Sequence, residues 1–212
     1  NGFYYDLSKV KQKVLGTGVD VTIKGDVELF RRETGIEGDY VIYAGRKDEG
    51  KNIYLLIDYF REYRLRNKES NLKLVLIGGG DVRIPDDIKS EIIDLGFVER
   101  ELKFAAYAAA LCLCQPSVHE SFSIVIMESW LCQRPVLVHA GCDVTKSFAI
   151  TSNSGLYFEN YYEFEGCINY YLKNEDVAAA MGKSGREFVM SNFTWDIIVD
   201  RYTKFFESLS ET

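Results

Sequence analysis

Residues 119–129 read HESFSIVIMES, and two carboxylates, Glu120 and Glu128, stand in a run that is otherwise small or apolar. Phe122, Ile124, Val125, Ile126, Met127, Trp130 and Leu131 all favour burial. A helix starting near Ser123 puts Glu120 just before its first turn and Glu128 in its second. Ile124 at i−4 and Cys132 at i+4 give Glu128 no ion-pair partner there on that helix. No Glu or Gln follows Ser121 or Ser123 by three residues, so the segment is not a capping box. A buried, unpaired carboxylate is unfavourable. Glu128 must therefore reach solvent along a thin exposed stripe, a cation elsewhere in the fold, or a ligand that donates hydrogen bonds. Hydroxyl groups of a sugar would be such donors. Phe122, Ser123 and Ile124 would add unpaired backbone N–H groups at the same helix start.

Three further loops carry residues able to hold a ligand. AGRKDEGKN, residues 44–52, follows an apolar run and leads into a helix near Asn52. Arg46 offers a planar fork and Lys51 a mobile point charge beside a helix N-terminus, a combination suited to phosphate. The other reading is a solvated turn in which Lys51 pairs with Asp48 or Glu49. LVLIGGGDVRIP, residues 74–85, has Gly79 and Gly80 where close backbone approach to a ligand, or a plain turn, would need them. It is not the dinucleotide fingerprint, since Arg83 stands where a third glycine is required. In GFVERE, residues 96–101, Val98 and Glu99 would end a strand and could offer main-chain groups to a planar base, or simply pass into the next helix.

The elements that position these loops are legible as alternation. Apolar runs at 40–45, 72–78, 94–98, 111–116, 135–139 and 155–158 are nearly continuous, as in strands covered on both faces. In NIYLLIDYFREYR, Ile53, Leu56, Ile57 and Phe60 recur on one helical face. Residues 99–110, DVAAAMGKSGREFVM and WDIIVDRYTKFFESL also read as helices. Strand–helix alternation predicts an α/β fold, a doubly wound parallel sheet of the Rossmann-like kind. Its ligands bind beyond the carboxyl ends of the strands, where all four loops fall. Residues 1–38 fit the alternation poorly and are assigned to a leading strand and linker, 39–193 to the α/β domain, and 194–212 to a C-terminal helix. In that helix Ile198, Tyr202, Phe205 and Leu209 share a face that would cover either its own sheet or another domain.

A chain of 212 residues with 47% hydrophobic and 14% aromatic content can bury a sizeable core. A formal net charge of −7 disfavours nucleic acid as a partner. No apolar run reaches the roughly 18 residues of a membrane span, and the mixed, charged start NGFYYDLSKVKQKV is not a signal peptide. Five cysteines at irregular spacing read as reduced core thiols rather than a disulfide framework. With only His119 and His139 to assist them, no metal site is expected.

Taken in order, AGRKDEGKN, LKLVLIGGG, LGFV, QPSVHESFSIVIMESWLCQRPVLV and FTWDIIVDRY resemble the retaining family 4 glycosyltransferases, specifically the C-terminal, nucleotide-sugar-binding half of the GT-B fold. The resemblance runs from about residue 18 to 210. Its most specific part is the pair Glu120 and Glu128, with seven residues between them, between GRKDEGKN and CQRPVLV. It implies that Arg46 and Lys51 hold the donor diphosphate and that Glu120 contacts hydroxyls of the transferred sugar. Glu128 would accept from the ribose hydroxyls. Backbone groups at Phe122, Ser123, Ile124 and Val125 would meet sugar and phosphate. Gly79 and Gly80 would admit the donor, and Val98 would contact the base through its main chain. It further implies transfer to a glycan or lipid-linked acceptor without a cofactor, in the synthesis of a bacterial or archaeal surface polysaccharide or glycolipid. The location would be the cytoplasm or the inner face of the membrane. Ser121 and Ser123 replace the family's usual glycines, which narrows the sugar pocket, and HAGCDVTKSF departs from its glycine-rich pattern.

On this resemblance the family's N-terminal acceptor domain is expected to be missing, and VLGTGVD, residues 14–20, resembles the segment between the two domains. The chain is thus expected to be a fragment that binds donor but transfers little alone. Two rival readings stand beside this one: a non-catalytic nucleotide-binding module, and a GT-B epimerase or phosphorylase.

Overall fold

A computed structural model describes residues 10–22 and 24–210. Six strands, β1 (Tyr40–Ala44), β2 (Lys73–Ile77), β3 (Ile92–Asp94), β4 (Cys112–Gln115), β5 (Val136–His139) and β6 (Gly155–Phe158), form one sheet in the order β3-β2-β1-β4-β5-β6. Every pairing is parallel. The chain enters at the centre, winds outward to β3, and returns to β4 on the other side of β1. The strand order therefore reverses between β1 and β4, the crevice where such sheets take their ligands.

The apolar runs become strands because both faces are covered. Tyr40, Ile42 and Ala44 of β1, with Val75 and Ile77 of β2, enter one core layer. Val41 and Tyr43, with Leu74 and Leu76, enter the other. This is the period-two alternation of a pleated strand with apolar residues on both sides. The first layer is closed by α3 (Arg100–Ala109), α4 (Ile124–Leu131) and α7 (Glu175–Asn192). The second is closed by α2 (Ile53–Arg66) and α6 (Tyr161–Lys173). Ile53, Leu56, Ile57 and Phe60 of α2 are all buried, as their spacing predicts. Helix α5 (Asp143–Ser152) links β5 to β6, and α8 (Trp195–Ser210) ends the described chain. On α8, Ile198 is buried while Trp195, Val199, Tyr202 and Phe206 are exposed. No described helix is long and apolar enough to cross a membrane.

Two expectations are corrected. The apolar run at 94–98 is not a strand: β3 ends at Asp94, whose carboxylate accepts from the Gly96 N–H at 2.9 Å, and Gly96 turns the chain with φ 63°. The stretch read as a leading strand and linker holds a helix, α1 (Val27–Thr34), which packs on α3. Asp26 starts it by accepting from the N–H groups of Glu28 and Leu29, and Gly35, at φ 67°, ends it. Nearby, Val19 makes an isolated parallel bridge with Thr194. The reading of residues 1–9 and 23 as linker, and of 211–212 as helix, lies outside the described residues.

Candidate functional site

The loops after β1, β2 and β3 are joined to one another before any ligand is considered. The Gly45 N–H donates to the Ile77 carbonyl and the Lys47 N–H to the Gly79 carbonyl, both at 2.9 Å. A side chain at Gly78 could not be accommodated: a Cβ there would lie 2.0 Å from the Gly45 carbonyl oxygen, and φ is +127°. Lys47, only 5% exposed, donates to both carboxylate oxygens of Asp94 at 2.6 and 2.7 Å. This pair fastens the first loop to the end of β3.

Above these loops lies a cleft of about 520 Å³. Arg46, Gly79, Val98 and Val125 line it, so four of the predicted site residues meet at the carboxyl ends of β1 and β2. Gly79 has nothing near the direction of a Cβ and faces open space. Gly80 does not line this cleft. A Cβ on it would meet the Lys47 carbonyl oxygen at 3.1 Å, and its φ is +102°, so its glycine is required by the neighbouring loop of the protein itself.

Lys51 pairs with neither Asp48 nor Glu49. Its Nζ lies 2.7 Å from Glu120 Oε1, while the Asp48 carboxylate accepts from the Lys51 backbone N–H at 3.0 Å. Asn52, in the left-handed region at φ 59°, turns the chain into α2, and its Nδ2 donates to the Pro116 carbonyl at 3.1 Å. That bond holds the Lys51 loop against the loop that carries Glu120. Arg46 is 77% exposed, and its guanidinium is 3.6 Å from Asp48.

Ser123 begins α4 at φ 64° without a side-chain capping bond. Gln115 Nε2 approaches its hydroxyl at 3.4 Å. The Phe122 ring packs edge-on against Phe148 and Phe193, so its side chain anchors the loop in the core. Ile124, at the exposed start of α4, borders a second cleft of about 280 Å³ together with Glu128. Arg100 and Lys103 line both clefts.

Glu128 is 9% exposed, which excludes an exposed stripe. It has found a cation on another helix: Lys103 Nζ donates to Oε1 at 2.7 Å, and the Tyr107 hydroxyl donates to Oε2 at 3.2 Å. Burial first, and Glu128 second, push the Tyr107 phenol well above its ordinary range, so it stays a donor. The sequence reading missed Lys47, Asp94, Lys103 and Tyr107. Lys103 and Tyr107 stand four apart on α3 and share a face, the one sign that could have paired them with a common partner.

The topology is that of the α/β halves of GT-B glycosyltransferases. Sucrose-phosphate synthase from Thermosynechococcus elongatus superposes with a TM-score of 0.78 at 22% identity, over 94% of this chain and 53% of that one. Anabaena HepE in complex with UDP-glucose superposes with a TM-score of 0.71 at 19% identity, over 92% of this chain and 56% of that one. Residues 26–188 match the family described as glycosyl transferases group 1, and the chain belongs to that family. An uncharacterized glycosyltransferase of Methanocaldococcus jannaschii is 30% identical over 143 residues, 60% of this chain and 36% of its own length. The chain thus spans about a third of the length of that relative.

Proposed function

We propose that this chain is the donor-binding part of a retaining glycosyltransferase, which moves a sugar from a nucleotide-diphosphate sugar to a glycan or lipid-linked acceptor. The observation that carries this reading is Glu128, a buried carboxylate beside a small cleft that adjoins, through Arg100 and Lys103, the cleft at the carboxyl ends of β1 and β2. Its family membership, and a fold shared with a protein crystallised with UDP-glucose, support the same reading.

In this account Glu128 accepts from the ribose hydroxyls, and the main chain at Val98 meets the base. The N–H groups at Ser123, Ile124 and Val125 face phosphate and sugar, where a helix N-terminus favours negative charge. Arg46 and Lys51 offset the charge that develops on the departing nucleoside diphosphate. Glu120 accepts from hydroxyls of the transferred sugar. Lys51 pairs with Glu120, which keeps the cation that would meet phosphate next to the carboxylate that would meet the sugar. The nucleotide sugar is a substrate and no cofactor takes part. A second domain holds the acceptor, in the cytoplasm or at the inner face of the membrane.

Thermal melting of the chain against UDP-, GDP- and ADP-sugars tests this reading. One base should raise the midpoint and the others should leave it unchanged. No shift with any nucleotide at millimolar concentration contradicts it.

A further inference from the structure

We propose that Lys103 is a positioning residue that fixes Glu128 for the ribose diol and so makes the site select ribonucleotides over 2′-deoxyribonucleotides. This inference rests on the donor-binding reading above and adds a residue that the reading does not need.

Two donors from one helix converge on the Glu128 carboxylate. Its two oxygens offer about four acceptor positions. Lys103 occupies one on Oε1 and Tyr107 one on Oε2. Two positions remain, one on each oxygen, the number that a pair of adjacent hydroxyls requires. Two donors arriving at different oxygens also fix the rotation of the carboxylate plane, which a single donor would leave free. Both come from α3, whose Phe104 and Tyr107 are buried, so the donors stand on a rigid support.

Lys103 is itself constrained. Its ammonium lies 4.9 Å from the centroid of the Phe104 ring, a favourable cation–π placement. The neighbouring cation, Arg100, is committed to Asp20 and does not compete for Glu128. Cys132, one turn beyond Glu128, donates instead toward the Phe104 carbonyl. Lys103 is also common to both clefts, so a nucleotide that spans them passes directly over this pair. Without Lys103, Glu128 keeps only the Tyr107 hydroxyl and turns more freely. Binding then no longer depends on both ribose hydroxyls being present.

The test is a titration of the wild type with UDP, GDP and ADP and with their 2′-deoxy counterparts, repeated on Lys103→Met and Lys103→Arg. Melting curves establish that each variant folds. The wild type should prefer the ribonucleotide about tenfold or more, and Lys103→Met should weaken its binding about tenfold and bring the two sugars close to parity. Lys103→Arg, which restores a cationic donor, should recover most of the preference. Wild-type affinity and preference in Lys103→Met overturn the inference. So does an equal loss for ribo- and deoxyribonucleotides, which would assign Lys103 to the diphosphate instead. If the wild type binds no nucleotide, the donor-binding reading fails and takes this inference with it. Binding without the expected response to Lys103→Met overturns the inference alone.

Discussion

Lys51 Nζ and Glu120 Oε1 lie 2.7 Å apart, joining the loop after β1 to the loop after β4 across the point where the strand order reverses. The Glu120 side chain is only 8% exposed, so this ion pair is a structural tie as well as part of the candidate site. Removing only the cation leaves a carboxylate that water hardly reaches. Lys51→Met should lower stability by about 2–3 kcal/mol, toward the low end for a broken buried pair because Lys51 itself is partly exposed. The double variant Lys51→Met/Glu120→Gln should recover most of that loss and still bind nucleotide poorly. Urea unfolding of the two variants measures the first effect. A single variant as stable as the wild type removes the tie from the account.

The Lys47–Asp94 pair predicts a larger effect, because the ammonium is the buried partner. Asp94→Ala strands that charge and also removes the acceptor for the Gly96 N–H. A loss of about 4 kcal/mol is expected, with faster hydrogen exchange at Phe97 and Val98. Arg46→Ala, at a position open to solvent, should change stability by less than about 0.5 kcal/mol. Equal stability of the two variants would contradict this ranking.

Adjacent glycines should behave differently. Gly78→Ala drives a methyl group into the Gly45 carbonyl, whereas Gly79→Ala meets nothing within 4 Å. Gly78→Ala should destabilise by more than about 2 kcal/mol, from strain at positive φ and displaced backbone. Gly79→Ala should melt like the wild type and lose affinity only for a ligand that lies against the cleft wall. A Gly78→Ala protein of normal stability would show that the two loops are not held at this separation.

Burial sets the alkaline limit of the fold. It pushes the Cys132 thiol up to about 12 and the Cys167 thiol up to about 11, from an ordinary value of 9.0. Cys112 and Cys114 are raised for the same reason. A folded-state pKa above the unfolded value contributes stability that is present below the unfolded value and is lost as pH rises toward the folded one. Urea midpoints should therefore fall between about pH 9 and pH 11. At pH 8 the thiols should react slowly with a disulfide reagent until the chain unfolds. Rapid reaction of Cys112 and Cys114 in the native protein would contradict their burial.

What could be read from the sequence was local. Strands buried on both faces appear as unbroken apolar runs, and α2 shows its core face in four residues spaced for a helix. The glycine at 96 was also visible, yet the apolar character of residues 94–98 outweighed it, and β3 was placed too late. Helix α1 is hard to see in the sequence although Asp26 and Gly35 mark its ends, because its eight residues, VELFRRET, are mostly charged or polar and bury only Phe30. The ion pairs were not legible for a different reason. Lys103 is 25 residues from Glu128, Lys47 is 47 from Asp94, and Lys51 is 69 from Glu120. Which cation meets which carboxylate depends on the order of the strands in the sheet, and no local pattern encodes that order. Sequence could state that Glu128 needed a partner and could not state that α3 supplies one.

The central claim is that Glu128 receives a ribose and Arg46 a diphosphate. Calorimetric titration of the chain with UDP, GDP and ADP, repeated on Glu128→Ala and Arg46→Ala, tests it most directly. The account predicts that one nucleotide binds and that each substitution weakens it about tenfold or more, while Arg46→Ala melts normally. Binding that survives both substitutions unchanged would place the nucleotide elsewhere and contradict the claim.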